Sequence, residues 1–295
     1  MSEPMSQGTS NGVGAAAAAR AFLDAFAGKD TDAALALLTD DVVWHVDGAP
    51  EVPTVGLLQG RARVKEWIEG FPDAFEPRGF RLSPIIDGGT EAIVPGWFRY
   101  LVRTTQRTVE GDFTMRFTVR DGLISHYQIY EDSLALALAF AADLTGPPGS
   151  QRLRVNDIVY GYDDVGCGPV VLFLSGRDTD RSVFAAHVLA LQDRYRCVSL
   201  DLPGRGATTL PPEGWTPRGV ADDLALMIRE KGWLSATIVG HAHDAPVGTE
   251  LATRHPGLVG QLALLPAGDA VTDASVTDAS DGPAELLADL LRTGG

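Results

Sequence analysis

Apolar residues recur first at helical spacing and then at alternating spacing, and that change organises the first half of the chain. Over residues 15–27, Phe22, Ala25 and Phe26 fall on one face of a helix. A shorter helix is predicted over 33–38, with Thr31 as its N-cap, and a strand follows in Val42-Val43-Trp44-His45-Val46. Gly60 opens a third helix that carries Val64, Trp67, Ile68 and Phe71. From residue 79 a period of two takes over, predicting strands over 80–87, 92–104, 108–119 and 123–131. The turn Arg120-Asp121-Gly122 joins the last two as a hairpin. Asp132-Ser133 then caps an apolar helix that ends at Phe140. Helices grouped apart from antiparallel strands predict an α+β domain over 15–145.

Gly146-Pro147-Pro148-Gly149-Ser150 reads as a linker, and beyond it the rhythm changes. Strands are expected over 153–162, 170–174, 197–201, 236–240 and 262–265. Helices over 183–195, 217–231 and 246–254 fall between them. That alternation predicts a mostly parallel sheet with crossover helices over 151–268. Residues 1–14 are small and polar and are expected to be disordered. Residues 269–295 form a low-complexity acidic tail with one short helical segment over 284–291.

The chain has 295 residues, enough for two domains with separate cores. Its 24 basic and 39 acidic residues give a net charge of -15, which argues against nucleic acid and anionic membrane surfaces as partners. No run approaches the ~20 apolar residues of a membrane span, and the first residues lack the order of a signal peptide, so cytoplasm is the expected location. The two cysteines, Cys167 and Cys197, predict no disulfide framework.

In the second half, Gly240-His241-Ala242-His243-Asp244 occupies a strand-to-helix junction. With Asp201-Leu202-Pro203-Gly204-Arg205-Gly206, Trp215-Thr216-Pro217 and Arg254-His255-Pro256, it resembles the α/β-hydrolase family. The likeness is to the epoxide-hydrolase and haloalkane-dehalogenase branches. The resemblance implies a nucleophile elbow at 240–244, yet its central position is Ala242, which has no lone pair with which to attack. Ser175-Gly176 stands where the family has His-Gly, and no histidine follows His255. This half is therefore expected to be a truncated, catalytically inactive hydrolase domain. Its strand over 262–265 would be an open edge, to be covered by the tail helix, the first domain or a second subunit. His241, His243 and Asp244 could together hold zinc. Nothing nearby completes such a site, and they are read as structural.

In the first half, three segments carry a second resemblance. They are Leu37-Leu38-Thr39-Asp40-Asp41-Val42-Val43-Trp44, then Gly60-Arg61, then Phe117-Thr118-Val119-Arg120-Asp121-Gly122-Leu123-Ile124 with the ending Tyr130-Glu131-Asp132. Together they resemble the SnoaL-like branch of the nuclear-transport-factor-2-like superfamily. The resemblance implies an α+β cone, a curved antiparallel sheet wrapped on helices around an apolar pocket. It also implies homodimerisation. Burial in such a pocket would raise a carboxylic acid's pKa and suit proton transfer. Asp47, His126, Tyr127 and Glu131 are the candidate catalytic residues, and Trp44, Trp97, Phe113, Met115 and Phe117 the candidate pocket lining. Alignment on Asp40-Asp41 puts Val46, not Asp47, where ketosteroid isomerases carry their base; a one-residue bulge would restore Asp47. The apolar side of 113–117 is expected to face the pocket, which places Tyr127 and Glu131 inside with Met115.

The leading expectation is a cyclase- or isomerase-type enzyme acting on a hydrophobic carbonyl compound or epoxide, without cofactor or metal. The alternatives are a ligand-binding or assembly protein without chemistry, and an atypical hydrolase.

Overall fold

A computed structural model of the chain describes residues 14–140, 150–176, 179–241 and 245–265. It divides into two compact units, Met1–Asp143 and Leu144–Gly295, each taken here by itself. The predicted linker core, the acidic tail and its helix, and positions 242–244 of the elbow lie outside the described residues.

The first unit opens with helix α1 (Ala15–Ala27) and α2 (Thr31–Ala36). The N-cap of α2 is Asp30 rather than Thr31: its carboxylate accepts the Ala33 amide at 3.0 Å. Strand β1 (Leu38–Val46) follows, starting four residues before the expected Val42. A short strand β2 (Gly56–Gln59) that the pattern did not reveal pairs with it antiparallel. Helix α3 (Arg61–Ala74) runs directly into β3 (Phe75–Leu82), and a two-residue β4 (Ile86–Asp87) completes what was expected as one strand over 80–87. Then come β5 (Glu91–Val102), β6 (Thr108–Arg120), β7 (Leu123–Glu131) and helix α4 (Ser133–Ala139). Asp132 caps α4 by accepting the Ala135 amide at 2.9 Å.

The strand order is β2-β1-β7-β6-β5-β3. The sheet is mixed, not wholly antiparallel: β1 joins β7 in parallel, with Trp44 beside Tyr127 and His45 beside Gln128. One face carries the core, where Phe22 of α1 touches Trp44 and Phe117, and Trp67 and Phe71 of α3 pack against Phe26. Because side chains alternate across a strand, even-numbered Ala92, Val94, Phe98 and Val102 of β5 point to that inner face, as do odd-numbered Phe113, Met115 and Phe117 of β6.

In the second unit the segment expected as one strand over 153–162 is a hairpin, β8 (Ser150–Val155) and β9 (Ile158–Val165). Asn156 turns it with a φ of 48°. After β10 (Val170–Leu174), the single helix expected over 183–195 is a 3-10 turn (Arg181–Phe184) leading into α5 (Ala185–Leu191). The remaining elements are β11 (Arg196–Leu200), α6 (Pro217–Glu230), β12 (Ala236–His241), α7 (Ala245–Arg254) and β13 (Val259–Leu265). Strand order is β13-β12-β10-β11-β9-β8, parallel from β13 to β11 and antiparallel beyond, so β13 ends the described sheet. Asp223 of α6 latches onto the hairpin by accepting from Tyr160 Oη at 2.8 Å and from Asn156 Nδ2 at 2.6 Å. Among the described residues no helix is long and apolar enough to cross a membrane, and both cysteines are free thiols.

Gly96 reports on the register of the first sheet. A Cβ there would lie 2.2 Å from Phe113 Cζ and 2.5 Å from the Arg81 carbonyl oxygen. Gly96→Ala is therefore expected to lower stability by about 1–3 kcal/mol in denaturant unfolding. An unchanged midpoint would contradict the pairing of Gly96 with Phe113.

Candidate functional site

The inner face of the first sheet carries a carboxyl among aromatic rings. Tyr127, Ile129 and Glu131 alternate inward along β7, and Glu131, its last residue, sits opposite Phe113 of β6. Tyr127 lies flat against Trp44, ring centroids 3.8 Å apart and 14° from parallel, and meets Phe117 edge-on at 5.2 Å. Tyr100 of β5 stacks on Phe98 at 4.8 Å and touches Phe71 at 5.7 Å and Phe75 at 5.1 Å. The three polar side chains feel one another. Burial pushes the Glu131 carboxyl up to about 7. Burial, and then the charge of Glu131, raises the phenols of Tyr100 and Tyr127 above their ordinary range. Among the described residues Glu131 takes part in no ion pair.

Of the candidate lining, Trp44, Phe113, Met115 and Phe117 belong to this inner core. Trp97 does not. As an odd-numbered residue of β5 it points to the outer face, where the Arg81 guanidinium lies 4.7 Å above its ring. Asp47 and His126 are likewise placed away from Glu131. The β1 irregularity falls between Leu38 and Val43, so no bulge turns Asp47 inward. Trp44 and Val46 keep the inner face, and the half-exposed Asp47 carboxylate sits 3.0 Å from His45 Nε2 and accepts from Gln128 Nε2 at 3.5 Å. His126 shares the face of Gln128 and Tyr130, since a period of two sets all three opposite Tyr127. Tyr100 was missed from the sequence, although its parity with Phe98 and Val102 is the signal that marks it as inward.

In the second unit, Gly240 and His241 close β12, and the rest of the elbow lies outside the described residues. The loops after β10 and β11 are described. Asp201 is fully buried and accepts from Arg181 Nη1 at 2.5 Å, from the Arg181 amide at 2.7 Å and from the Ala207 amide at 2.9 Å. Arg181 also donates to Asp163 at 2.8 Å. Ser175, where the resemblance led one to look for histidine, is buried and accepts the Leu202 amide at 3.1 Å. The Gly176 amide is taken by Thr179 Oγ1 at 3.0 Å. Beside these loops an open groove of about 550 Å³ is bordered by Thr179, Asp180, Ser182, Gly204 and Arg205. Such loops, at the carboxyl ends of parallel strands, are where open α/β sheets place ligands. Among the described residues, no group of three or more His, Cys, Asp or Glu side chains is arranged to hold a metal ion.

Comparison with known proteins assigns the class of the first unit: residues 19–127 match the family model of the SnoaL-like domain. A solved NTF2-like protein from Burkholderia xenovorans is 26% identical, covering 42% of this chain and 92% of that one with a TM-score of 0.38. The chain is also similar to members of the α/β-hydrolase family. It is 31% identical over 110 residues to the 2-(acetamidomethylene)succinate hydrolase of Mesorhizobium japonicum, 37% of this chain. The match spans 40% of that relative's length. A solved variant of a Vigna radiata epoxide hydrolase is 33% identical, covering 39% of this chain and 37% of that one with a TM-score of 0.38.

The raised Glu131 carboxyl has a consequence for stability with a definite sign. The folded chain keeps the proton up to about pH 7, while the unfolded chain releases it near the ordinary value of 4.5. The folded state therefore binds more protons between those values, and stability falls as pH rises through that window. Glu131→Gln, which cannot ionise, is expected to unfold like the native chain near pH 4.5. By pH 8 it should be more stable, by something on the order of 1–3 kcal/mol. Melting curves across this range that run parallel would show that the carboxyl is not held in an apolar environment.

Proposed function

We propose that the first unit catalyses proton transfer on a hydrophobic carbonyl compound, with Glu131 as the acid–base group, and that the second half is not a working hydrolase. The supporting observation is a carboxyl whose pKa is pushed up to about 7, in an aromatic setting with two phenols beside it. A base poised near the working pH combines adequate ionisation with useful basicity. Its carboxylate takes the proton from the carbon next to the carbonyl, the C–H pair becomes a C=C bond, and the carbonyl oxygen takes up the negative charge. Return of the proton to a different carbon gives an isomer; attack of the enolate on a second carbonyl gives a ring. The aromatic neighbours favour a flat, uncharged substrate, because rings stack on rings at little cost in ordering. An epoxide-opening variant would use the same carboxyl to activate water.

For the second half, the proposal rests on Ala242 at the position where the family's nucleophile stands and on Ser175 in place of histidine. The Gly176 amide is also engaged by Thr179, which removes one backbone donor that could have met an oxyanion. The Asp201–Arg181–Asp163 network keeps the loops of the hydrolase frame in place without that chemistry.

The test is exchange of α-protons of hydrophobic cyclic ketones in deuterated water, followed by NMR with the full chain. Exchange is expected to rise with pH to a plateau, with an apparent pKa of about 7. Glu131→Gln is expected to slow it by roughly 10²–10⁴-fold. Exchange equally fast in that variant would remove Glu131 from the mechanism. In parallel, 4-nitrophenyl acetate should give neither a burst nor turnover, and steady turnover with a covalent intermediate would overturn the reading of the second half.

A further inference from the structure

The sheet of the second unit has two faces, and the described helices cover them unequally. Even-numbered residues of β12 and β13 meet α7: a Cβ on Gly248 would lie 2.9 Å from Leu262 Cδ1 and 3.8 Å from Ile238 Cγ2. Odd-numbered residues point the other way. On that side Phe184 of the 3-10 turn lies on Phe173 of β10, ring centroids 5.0 Å apart, and α5 packs on β11. Phe173 is in register with Val239 of β12, and Val239 with Ala263 of β13, so one apolar face runs on to the last described strand. There Val239 is 0% and Ala263 2% exposed. On the same face of β13, Gln261 Oε1 is shut off from solvent without meeting a donor. Parallel strands are stable with both faces covered, and the burial of an end strand on this side calls for a cover over β12 and β13 beside α5.

Of the chain outside the described residues, one stretch suits that face. Residues 1–13, 141–149 and 266–283 are mostly small, polar or helix-breaking. Residues 284–291 read Ala-Glu-Leu-Leu-Ala-Asp-Leu-Leu. On a helix Leu286, Leu287, Leu290 and Leu291 fall within one arc of about 140°, and Glu285, Asp289 and Arg292 fall opposite. Pro283 before this run and Gly294 after it are start and stop signals. A helix this short is marginal in water by itself, so its leucines need a surface. The connection is long enough: residues 266–283 reach up to roughly 60 Å when extended, against roughly 23 Å for the length of β13.

We propose that residues 284–291 form a helix that seats its leucine face on Thr237, Val239, Gln261 and Ala263, alongside α5, and completes that layer of the second unit. The match is one of chemistry as well as reach. The four sheet positions carry no charge, and the three charged residues of the segment stay on its solvent side. The face is thus closed from within the chain and not by a second copy.

Hydrogen exchange on the full chain, read by mass spectrometry, tests this. In the native chain the amides of 284–291 are expected to exchange at least roughly tenfold more slowly than those of 269–280. Leu287→Asp combined with Leu290→Asp is expected to speed exchange over 236–241 and 259–265 by at least roughly tenfold, and to leave 91–102 and 108–120 in the first unit unchanged. If that pair unfolds the whole second unit, Leu287→Ala alone takes its place, with the same segments responding. Glu285→Gln combined with Asp289→Asn, on the outward side, is expected to keep every segment within about twofold. Native exchange over 284–291 as fast as over 269–280 overturns the inference, whatever the variants do. So does an effect of the leucine substitutions confined to 284–291, or an equal effect of the outward pair. Sedimentation over a roughly hundredfold dilution separates the remaining occupant. If β12 and β13 lose protection as a dimer dissociates, the cover is a second copy and the inference falls.

Discussion

The first unit depends on the face-to-face contact between Trp44 and Tyr127. These rings belong to β1 and β7, strands far apart in sequence that pair in parallel with the two residues side by side. A shift of one residue in either strand would send one ring to the opposite face and separate the pair. The stack thus ties the N-terminal strand to the C-terminal hairpin in a single register. Through Phe22 and Trp67, which touch Trp44 at 5.3 and 5.2 Å, the same contact determines how α1 and α3 lie on the sheet. Once β7 is held that way, Glu131 has no choice of face: two positions beyond Ile129, it points where Tyr127 points.

That constraint explains why a carboxyl stands among apolar groups at all. An ionised carboxylate without a cationic partner is disfavoured there, and the carboxyl responds by holding its proton to about pH 7. The contrast with Asp47 is instructive. Asp47 is half-exposed, with His45 and Gln128 near its two oxygens, so its surroundings supply the polar contacts that Glu131 lacks. Two acids at the ends of paired strands thus meet opposite environments because one strand places its side chain inward and the other does not. Asp223 in the second unit shows that burial alone is not a signature of catalysis. Burial lifts its pKa to about 6 against the opposing bonds from Asn156 and Tyr160. Those bonds engage both of its oxygens in joining α6 to the hairpin, whereas Glu131 has no such employment.

Much of this was legible in the sequence because alternation is a local property. The inward set of β6 follows from Phe113, Met115 and Phe117, and the Thr118–His126 and Phe117–Tyr127 pairing carries it to β7. The same rule applied to β5 would have excluded Trp97 and chosen Tyr100, since Phe98 and Val102 set the inward parity. Trp97 misleads because a large aromatic ring suggests a core, whereas here the Arg81 guanidinium covers its outer-face ring. What the pattern could not show is pairing between distant segments. Strand β2 has four residues and too little alternation to register, and the parallel union of β1 with β7 is written in no local signal. The hairpin at Asn156 was legible after all, since Asn156-Asp157 is a polar turn pair between Leu153-Arg154-Val155 and Ile158-Val159-Tyr160, and the sequence reading passed over it.

In the second unit a buried charge network holds the loops that follow β10 and β11. The buried Asp201 is satisfied by three donors, and Arg181 spans from it to Asp163, so each charge in the pair has its partner. Removing the Arg181 side chain would leave the fully buried Asp201 carboxylate without its cation, a cost of about 3–5 kcal/mol, whereas removing Asp201 would leave Arg181 still paired with Asp163. The loop that begins at Asp201 is therefore anchored by its own charge and hydrogen bonds. The order of these loops is thus accounted for by buried charge and backbone hydrogen bonds alone, without reference to any reacting group.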